Sequence, residues 1–433
     1  MICLTAKGAR EMIRIKHIDE INLKQSLSET IDENLIKDVA AIIENAKENG
    51  DSALREYTEK FDGVYIDDFE VSDSEMDDAL NSVEEEFITV LKKAKENIYK
   101  FHEKQKRDDL IIFEEDGKIL GEKFTPIERV GLYVPGGTAV YPSSVLMTVI
   151  PAKIAGCANI SMVSPPDKKG NISPLILAAA KISGVSKVYK VGGAQAIAAL
   201  AYGTQSIENV YKIVGPGNRY VAEAKRQVSS IVGIDMVAGP SEILIIAEKG
   251  ANPDFIAVDL LSQAEHDIYA RSILLTCDKE LANKVQDSIE VKLPNLIRKE
   301  IARKSIDEQG LIVICESKEQ MFELSNEIAP EHLELMTTNP ISDLSLVKNA
   351  GSVFLGEYTP EPTGDYYSGT NHTLPTSGTA KFASPLSVDD FVKKTQFSFY
   401  TKGALLKDAE AIMYFAEKEG LTAHSNSIKE RIK

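Results

Sequence analysis

Four times between Val130 and Val228 a short apolar run stops, is followed by glycine or proline, and gives way to a helical stretch. That rhythm constrains the fold more than any other feature. V-G-L-Y-V (130–134) runs into Pro135-Gly136-Gly137, and I-S-M-V (160–163) leads to Ser173-Pro174, a cap with proline at the first helical position. V-Y-K-V (188–191) breaks at Gly192-Gly193 into the alanine-rich Ala194–Tyr202. Y-K-I-V (211–214) breaks at G-P-G-N (215–218) into Tyr220–Val228. Strand and helix in alternation imply a mostly parallel sheet with helices on its faces. A second series follows in I-L-I-I-A (243–247), S-I-L-L-T-C (272–277), L-I-V-I-C (311–315) and S-V-F-L (352–355). The expected class is α/β, with two Rossmann-like parallel-sheet units, a helical N-terminal region and a helical C-terminal tail.

The flanks are read from apolar spacing. Leu35, Ile36, Val39, Ile42, Ile43 and Ala46 keep helical period until Gly50 stops them. Ser72 or Asp73 caps a predicted long helix that carries Met76, Leu80, Phe87, Leu91, Ile98 and Phe101 on its buried stripe. Ile111 to Phe124 reads as a hairpin turning at Asp116-Gly117. Residues 364–385, rich in Gly, Ser, Thr, Pro and Asn, form a loop, and Leu405–Phe415 an amphipathic helix.

With 433 residues the chain has room for two or three cores. A net charge of −17 repels nucleic acid and anionic membrane surfaces, so neither is an expected partner. No apolar stretch reaches the roughly 18 residues of a membrane span. Lys7 and Arg10 interrupt the start before a signal-peptide core could form. The four cysteines, Cys3, Cys157, Cys277 and Cys315, make no C-x-x-C pair and suit a reducing cytoplasm.

Chemistry concentrates around a few polar breaks. In D-L-L-S-Q-A-E-H-D (259–267) an apolar helical run turns polar, placing Gln263 and His266 one turn apart on one face. The pair is either a nitrogen-and-oxygen donor set for a metal or a polar helix stripe with a satisfied histidine. Glu331 and His332 in A-P-E-H-L-E-L are adjacent, so they suit a turn or a strand end, as two bases or as an exposed pair. Asp365 and His372 stand in G-D-Y-Y-S-G-T-N-H-T-L-P, where turn chemistry competes with a site role. His424, five residues after Glu419, is surface decoration on local evidence alone. His17 and His102 receive no role. Gly192-Gly193 and Gly215–Asn218 follow strands and open helices, where free N–H groups favour an anion, yet neither is a full G-x-G-x-x-G.

Taken together these blocks resemble the histidinol dehydrogenase family. They are V-G-L-Y-V-P-G-G (130–137), G-G-A-Q-A-I-A-A-L-A-Y-G-T (192–204), G-P-G-N (215–218), A-G-P-S-E (238–242), S-Q-A-E-H (262–266), A-P-E-H-L-E (329–334), G-D-Y-Y-S-G-T-N-H-T-L-P-T (364–376) and L-T-A-H (421–424). The resemblance covers nearly the whole chain and implies a zinc- and NAD-dependent enzyme. Such an enzyme oxidises L-histidinol to L-histidine in two hydride transfers, the last steps of histidine biosynthesis. It further implies Gln263, His266, Asp365 and His424 as zinc ligands, and Glu331 with His332 as the catalytic pair, the histidine titrating near its normal pKa. Ser241, His372 and Glu419 would hold substrate together with the ligand residues and His332. Tyr133, Gln195 and Asn218 would line NAD.

Family members are homodimers whose C-terminal segments cross over, so His424 and Glu419 would complete the neighbour's site. The implied domains are an N-terminal segment (1–28), a discontinuous main domain (29–129 plus 243–385), an inserted NAD-side domain (130–242) and a tail (386–433). Four other readings compete, one of them a non-catalytic nucleotide-binding relative. The same fold could act on another small alcohol. Cys157 could carry aldehyde oxidation through a thiohemiacetal, although nothing nearby in sequence activates it. The chain could also be a zinc hydrolase without a redox role.

Overall fold

The computed structural model describes residues 12–21, 32–136 and 140–433; most of the expected 1–28 segment lies outside them. Strand β1 (Arg14–His17) is followed by four helices, Glu33–Asn49, Asp51–Asp62, Asp73–Ser82 and Glu85–His102. Ser72 does cap its helix, accepting from the Glu75 N–H while the Glu75 carboxylate bonds back to the Ser72 N–H. The single long helix expected from there is two, because the chain is extended at Val83. The hairpin is β2 (Leu110–Phe113) with β3 (Lys118–Pro126), turning through Asp116-Gly117 as the sequence implies.

The first parallel sheet contains β4 (Arg129–Tyr133), β5 (Asn159–Ser164), β6 (Lys187–Lys190), β7 (Lys212–Val214) and β8 (Gly233–Ile234), in the order β6-β5-β4-β7-β8. The order reverses at β4, so the switch point lies between β4 and β7, the place where doubly wound sheets receive ligands. Both turns that leave there, Pro135-Gly136 and Gly215–Asn218, are glycine breaks read from the sequence. The second parallel sheet contains β9 (Glu242–Ala247), β10 (Arg271–Thr276), β11 (Leu311–Ile314), β12 (His332–Met336) and β13 (Ser352–Leu355). It repeats the winding with β1 added at the edge, β1-β11-β10-β9-β12-β13. Finally β14 (Val392–Tyr400) runs antiparallel along all of β3, from Val392 opposite Pro126 to Tyr400 opposite Lys118.

Apolar burial on both faces of the first sheet explains its continuous Val/Ile-rich strands. On one face Val39, Ile43 and Leu54 from the first two helices meet Tyr133, Val191 and the alanine-rich helix Gly193–Tyr202. On the other, Met76, Leu91 and Ile98 meet Val130, Leu132 and the helix Pro142–Ala155. The helices between residues 33 and 102 are therefore layers of the first sheet. They are not layers of the second, as the expected union of 29–129 with 243–385 would have them. The second sheet has its own two cores, around Ile243, Leu260 and Leu274 and around Leu244, Phe322 and Leu333.

The tail helices Lys402–Lys418 and Thr422–Arg431 pack on each other, and the first of them packs on β14. They leave Leu406, Tyr414, Phe415 and Leu421 exposed.

Candidate active site

The N-terminal edge of the second sheet brings Glu331 and His332 together. His332 opens β12, in register with Ile243 of β9, so the pair sits beside Ser241-Glu242 where β9 begins. The main chain of Glu242 orients both groups. Its N–H donates to Glu331 Oε2 at 2.8 Å, and its carbonyl lies 3.0 Å from His332 Nδ1. A carbonyl only accepts, so Nδ1 carries the proton and Nε2 presents its lone pair inward. Both side chains are buried, and Nε2 has no hydrogen-bond partner. Burial pushes the imidazole down to about 3, so it is neutral. Burial also holds the Glu331 carboxyl well above the usual range, with a smaller lowering effect from the Glu242 N–H. A histidine titrating near neutrality, the sequence expectation, is not what this environment gives.

A cluster of carboxyls faces that nitrogen. Glu361 Oε1 and Asp365 Oδ1 each lie 3.9 Å from His332 Nε2, and the three donor atoms fall within 4.8 Å of one another. Both acids come from the short helix Glu361–Tyr366, four residues apart and hence on one face. Behind them Glu334 accepts the Glu361 N–H at 2.8 Å. Asp259 joins Glu334, its carboxyl raised to about 6 by burial. Burial likewise raises Asp365 to about 6 and Glu361 to about 9.

Gln263, fully buried on the helix Pro253–Ala264, has neither amide oxygen nor amide nitrogen hydrogen-bonded. The same helix brings Ser262 within 3.3 Å of Glu361. His266 lies beyond the helix end, which corrects the expected helical position. Its N–H still bonds the Gln263 carbonyl at 3.2 Å, so the one-turn spacing survives. Burial lowers its pKa, and the Arg298 charge adds to this. An orphaned amide and uncompensated carboxyls around an unpaired imidazole nitrogen are what a divalent cation completes. The residues present fit a metal with nitrogen and oxygen ligands.

His372 is held at both nitrogens. Nδ1 donates to the Asp365 carbonyl at 3.0 Å, and Nε2 lies 3.2 Å from Ser144 Oγ. Burial lowers its pKa to about 4. A cleft of about 120 Å³ joins His372, Glu331 and Ser241 to the turn Gly215-Pro216-Gly217 of the first sheet. There Tyr133 ends β4 and its hydroxyl accepts the Gly193 N–H at 3.1 Å, while burial pushes its pKa to about 12. Gln195 is buried with Oε1 unpartnered, an acceptor awaiting a donor. Asn218 caps the helix Arg219–Val228, its side chain accepting from Tyr220 and Val221 at 3.0 and 3.2 Å.

Ser241, Glu331 and His372 thus line one cleft, His332 lies against Glu331 and Asp365 against His372, and His266 is close enough to bear on the charge of both histidines. The structure does not bring Glu419 or His424 there, since both are exposed on the tail. Sequence reasoning passed over Asp259, Glu334, Glu361 and Ser144. Three had a readable signal. Asp259 and Glu361 each stand four residues before a singled-out residue, Gln263 and Asp365, and Glu334 lies two beyond His332 on the same strand face.

The family model described as histidinol dehydrogenase matches residues 25–432. Histidinol dehydrogenase of Listeria monocytogenes is 55% identical over 91% of this chain and 92% of its own length. That of Clostridium acetobutylicum is 54% identical over 92% and 93%. A crystal structure of histidinol dehydrogenase from Elizabethkingia anophelis superposes with a TM-score of 0.92 at 41% identity, covering 98% of this chain and 99% of that one. The cleft, the histidine–carboxyl cluster and these matches lead to one conclusion: the chain belongs to the histidinol dehydrogenase family.

Proposed function

We propose that this oxidoreductase converts L-histidinol through histidinal to L-histidine with two NAD and one zinc ion per site, in a homodimer. The observation that carries the chemistry is the neutral, unpartnered Nε2 of His332, aimed at the cluster that fits a metal. Gln263, His266 and Asp365, with His424 from the other protomer's tail, would hold zinc. Zinc supplies a fixed point for the substrate's amine and imidazole and positive charge for the surrounding carboxyls. NAD supplies the hydride acceptor, lying towards Tyr133, Gln195 and Asn218 at the switch point of the first sheet.

His332 Nε2 takes the proton of the substrate hydroxyl as the carbinol hydrogen leaves as hydride. The Glu242 carbonyl holds Nδ1–H, so the imidazolium formed keeps its orientation. The aldehyde stays in the cleft; as the hydrate forms, Glu331 removes a proton from water and the carbonyl oxygen takes the proton held on His332 Nε2, which restores the neutral imidazole. That role requires Glu331 as carboxylate, a state favoured by cationic charge and by the Glu242 N–H already on Oε2. His332 then takes the hydrate's proton as the second hydride departs. Ser241, His372 and Glu419 hold the substrate's polar ends.

A thiohemiacetal route through Cys157 has no support: the thiol is buried, bonded to the Phe391 carbonyl at 3.7 Å and pushed up to about 11 by burial. The exposed apolar residues of the tail, together with Phe113 on β2, suit cover by a second copy of the chain. Among the described residues no helix is long and apolar enough to cross a membrane. We place the enzyme in the cytoplasm, where NAD is available and unpaired cysteines stay reduced.

His332→Gln tests the assignment of base against ligand. Turnover should fall by roughly 10²–10⁴-fold while zinc content stays at one per protomer. Loss of zinc in parallel with activity would make His332 a ligand and overturn the assignment.

A further inference from the structure

The turn Gly215–Asn218 is fixed from behind by a charged pair that the reaction itself does not use. Lys225 and Asp235 form an ion pair with side-chain exposures of 2% and 1%. Lys225 Nζ donates to the Gly215 carbonyl at 2.9 Å, and Asp235 Oδ2 accepts the Gly215 N–H at 2.7 Å. The other oxygen, Oδ1, accepts the Met236 N–H at 2.6 Å. Both peptide groups of Gly215 are thereby tied to one pair, and the same carboxylate fixes the start of the segment 235–241 that ends at Ser241. That segment is tied again where the Gly239 N–H donates to Thr376 Oγ1 at 2.6 Å. Gly215, Met236, Gly239 and Ser241 line the cleft beside Glu331. Gly215 itself has φ +114°, and a Cβ there would lie 2.2 Å from the Tyr133 carbonyl oxygen, so only glycine fits at this turn.

A buried ion pair gains little stability over apolar residues of the same volume, because both charges lose their hydration. What an apolar pair could not do is hold three main-chain groups on two segments at set positions.

We propose that Lys225 and Asp235 are positioning residues of the cofactor half of the cleft, joining the Gly215–Asn218 turn and the 235–241 segment into one rigid piece. The inference rests on the reading above that NAD lies at this turn. It follows that NAD affinity depends on the pair while metal binding does not.

The test uses the zinc-loaded enzyme carrying Lys225→Met with Asp235→Asn, which removes both charges together, and Asp235→Asn alone. The double variant should raise KM for NAD by about tenfold or more, with zinc content unchanged. Asp235→Asn, which keeps one acceptor oxygen, should fall between it and wild type. An unchanged KM for NAD in a folded double variant overturns the proposal. So does a parallel loss of zinc and histidinol affinity, the mark of a merely structural role.

Should the variants not fold, hydrogen exchange on the wild-type enzyme decides. NADH alone should slow exchange in 213–218 and 235–241 together, and slowing confined to 213–218 overturns the coupling. Wild-type enzyme that shows no NAD binding at all would overturn the cofactor reading, and this proposal with it.

Discussion

At the scale of single residues, the site is governed by what has no partner. His332 Nε2, Glu361 Oε1 and both amide atoms of Gln263 are buried without a hydrogen bond, a cost that proteins carry at sites completed by a ligand. The sequence made His332, Gln263 and Asp365 legible because histidine, glutamine and aspartate interrupted apolar or glycine-rich patterns. Glu361 was passed over despite its four-residue spacing to Asp365, since an acid beside proline in T-P-E-P-T-G-D looks like surface. Only the pairing of β12 with β13 and the helix that follows bury it. Its carboxyl lies beside Asp365 and Ser262, where it can orient the Asp365 carboxylate proposed as a zinc ligand. Glu361→Gln should weaken zinc by roughly 10–100-fold, read by chelator competition, with little change in the melting temperature of the metal-free protein. Undiminished zinc affinity would remove Glu361 from the centre.

At the scale of elements, apolar runs revealed most strands buried on both faces but not β12, and the exposed β2 was found through its hairpin turn. β4 to β7 and β9 to β11 were legible as apolar runs ended by glycine, polar residues or charge. β14 was not, because in V-K-K-T-Q-F-S-F-Y nearly every residue is exposed and no alternation marks an inner face. Pairing with β3 creates that strand. The break at Val83 was equally hidden, since apolar residues keep their spacing across it.

The C-terminal edge of the second sheet, opposite the site, is clamped by Glu248 after β9. Its carboxylate takes the N–H and hydroxyl of Thr338 and pairs with Lys318 at 2.7 Å. The Lys318 hydrogen bond, followed by those from Thr338, outweighs desolvation and lowers Glu248 from 4.5 to about 2. A folded-state value below the unfolded one adds stability above pH 4.5 and loses it as pH falls towards 2. Glu248→Gln should therefore lower the melting temperature by a few degrees at pH 7. The gap to wild type should narrow as pH falls from 4.5 towards 3; a gap independent of pH would contradict the ionic account.

At the scale of the whole molecule, two doubly wound sheets face each other with opposite edges. The carboxyl ends of the first, at Gly215, and the amino ends of the second, at Ser241 and Glu331, enclose one cleft. The repeated α/β rhythm was legible in sequence; the placement of the helices between residues 33 and 102 on the first sheet was not. An apolar stripe shows that a helix packs, and only the three-dimensional arrangement shows against what. The tail lies apart from its own chain's cleft, which is why His424 and Glu419 looked like decoration locally.

Mixing His332→Gln and His424→Ala protomers tests the crossed tail. A mixed dimer in which tails cross contains one intact site, so the statistical mixture should recover about a quarter of wild-type activity. No recovery on verified subunit exchange would mean that each tail serves its own site.

The central claim is that one cleft carries both oxidations without releasing the aldehyde. The direct measurement is the number of NADH formed per L-histidinol consumed by purified zinc-loaded enzyme, with alcohol limiting and NAD in excess. The account predicts two, abolished by a chelator and restored by zinc. One NADH per alcohol, with histidinal free in solution, would contradict it.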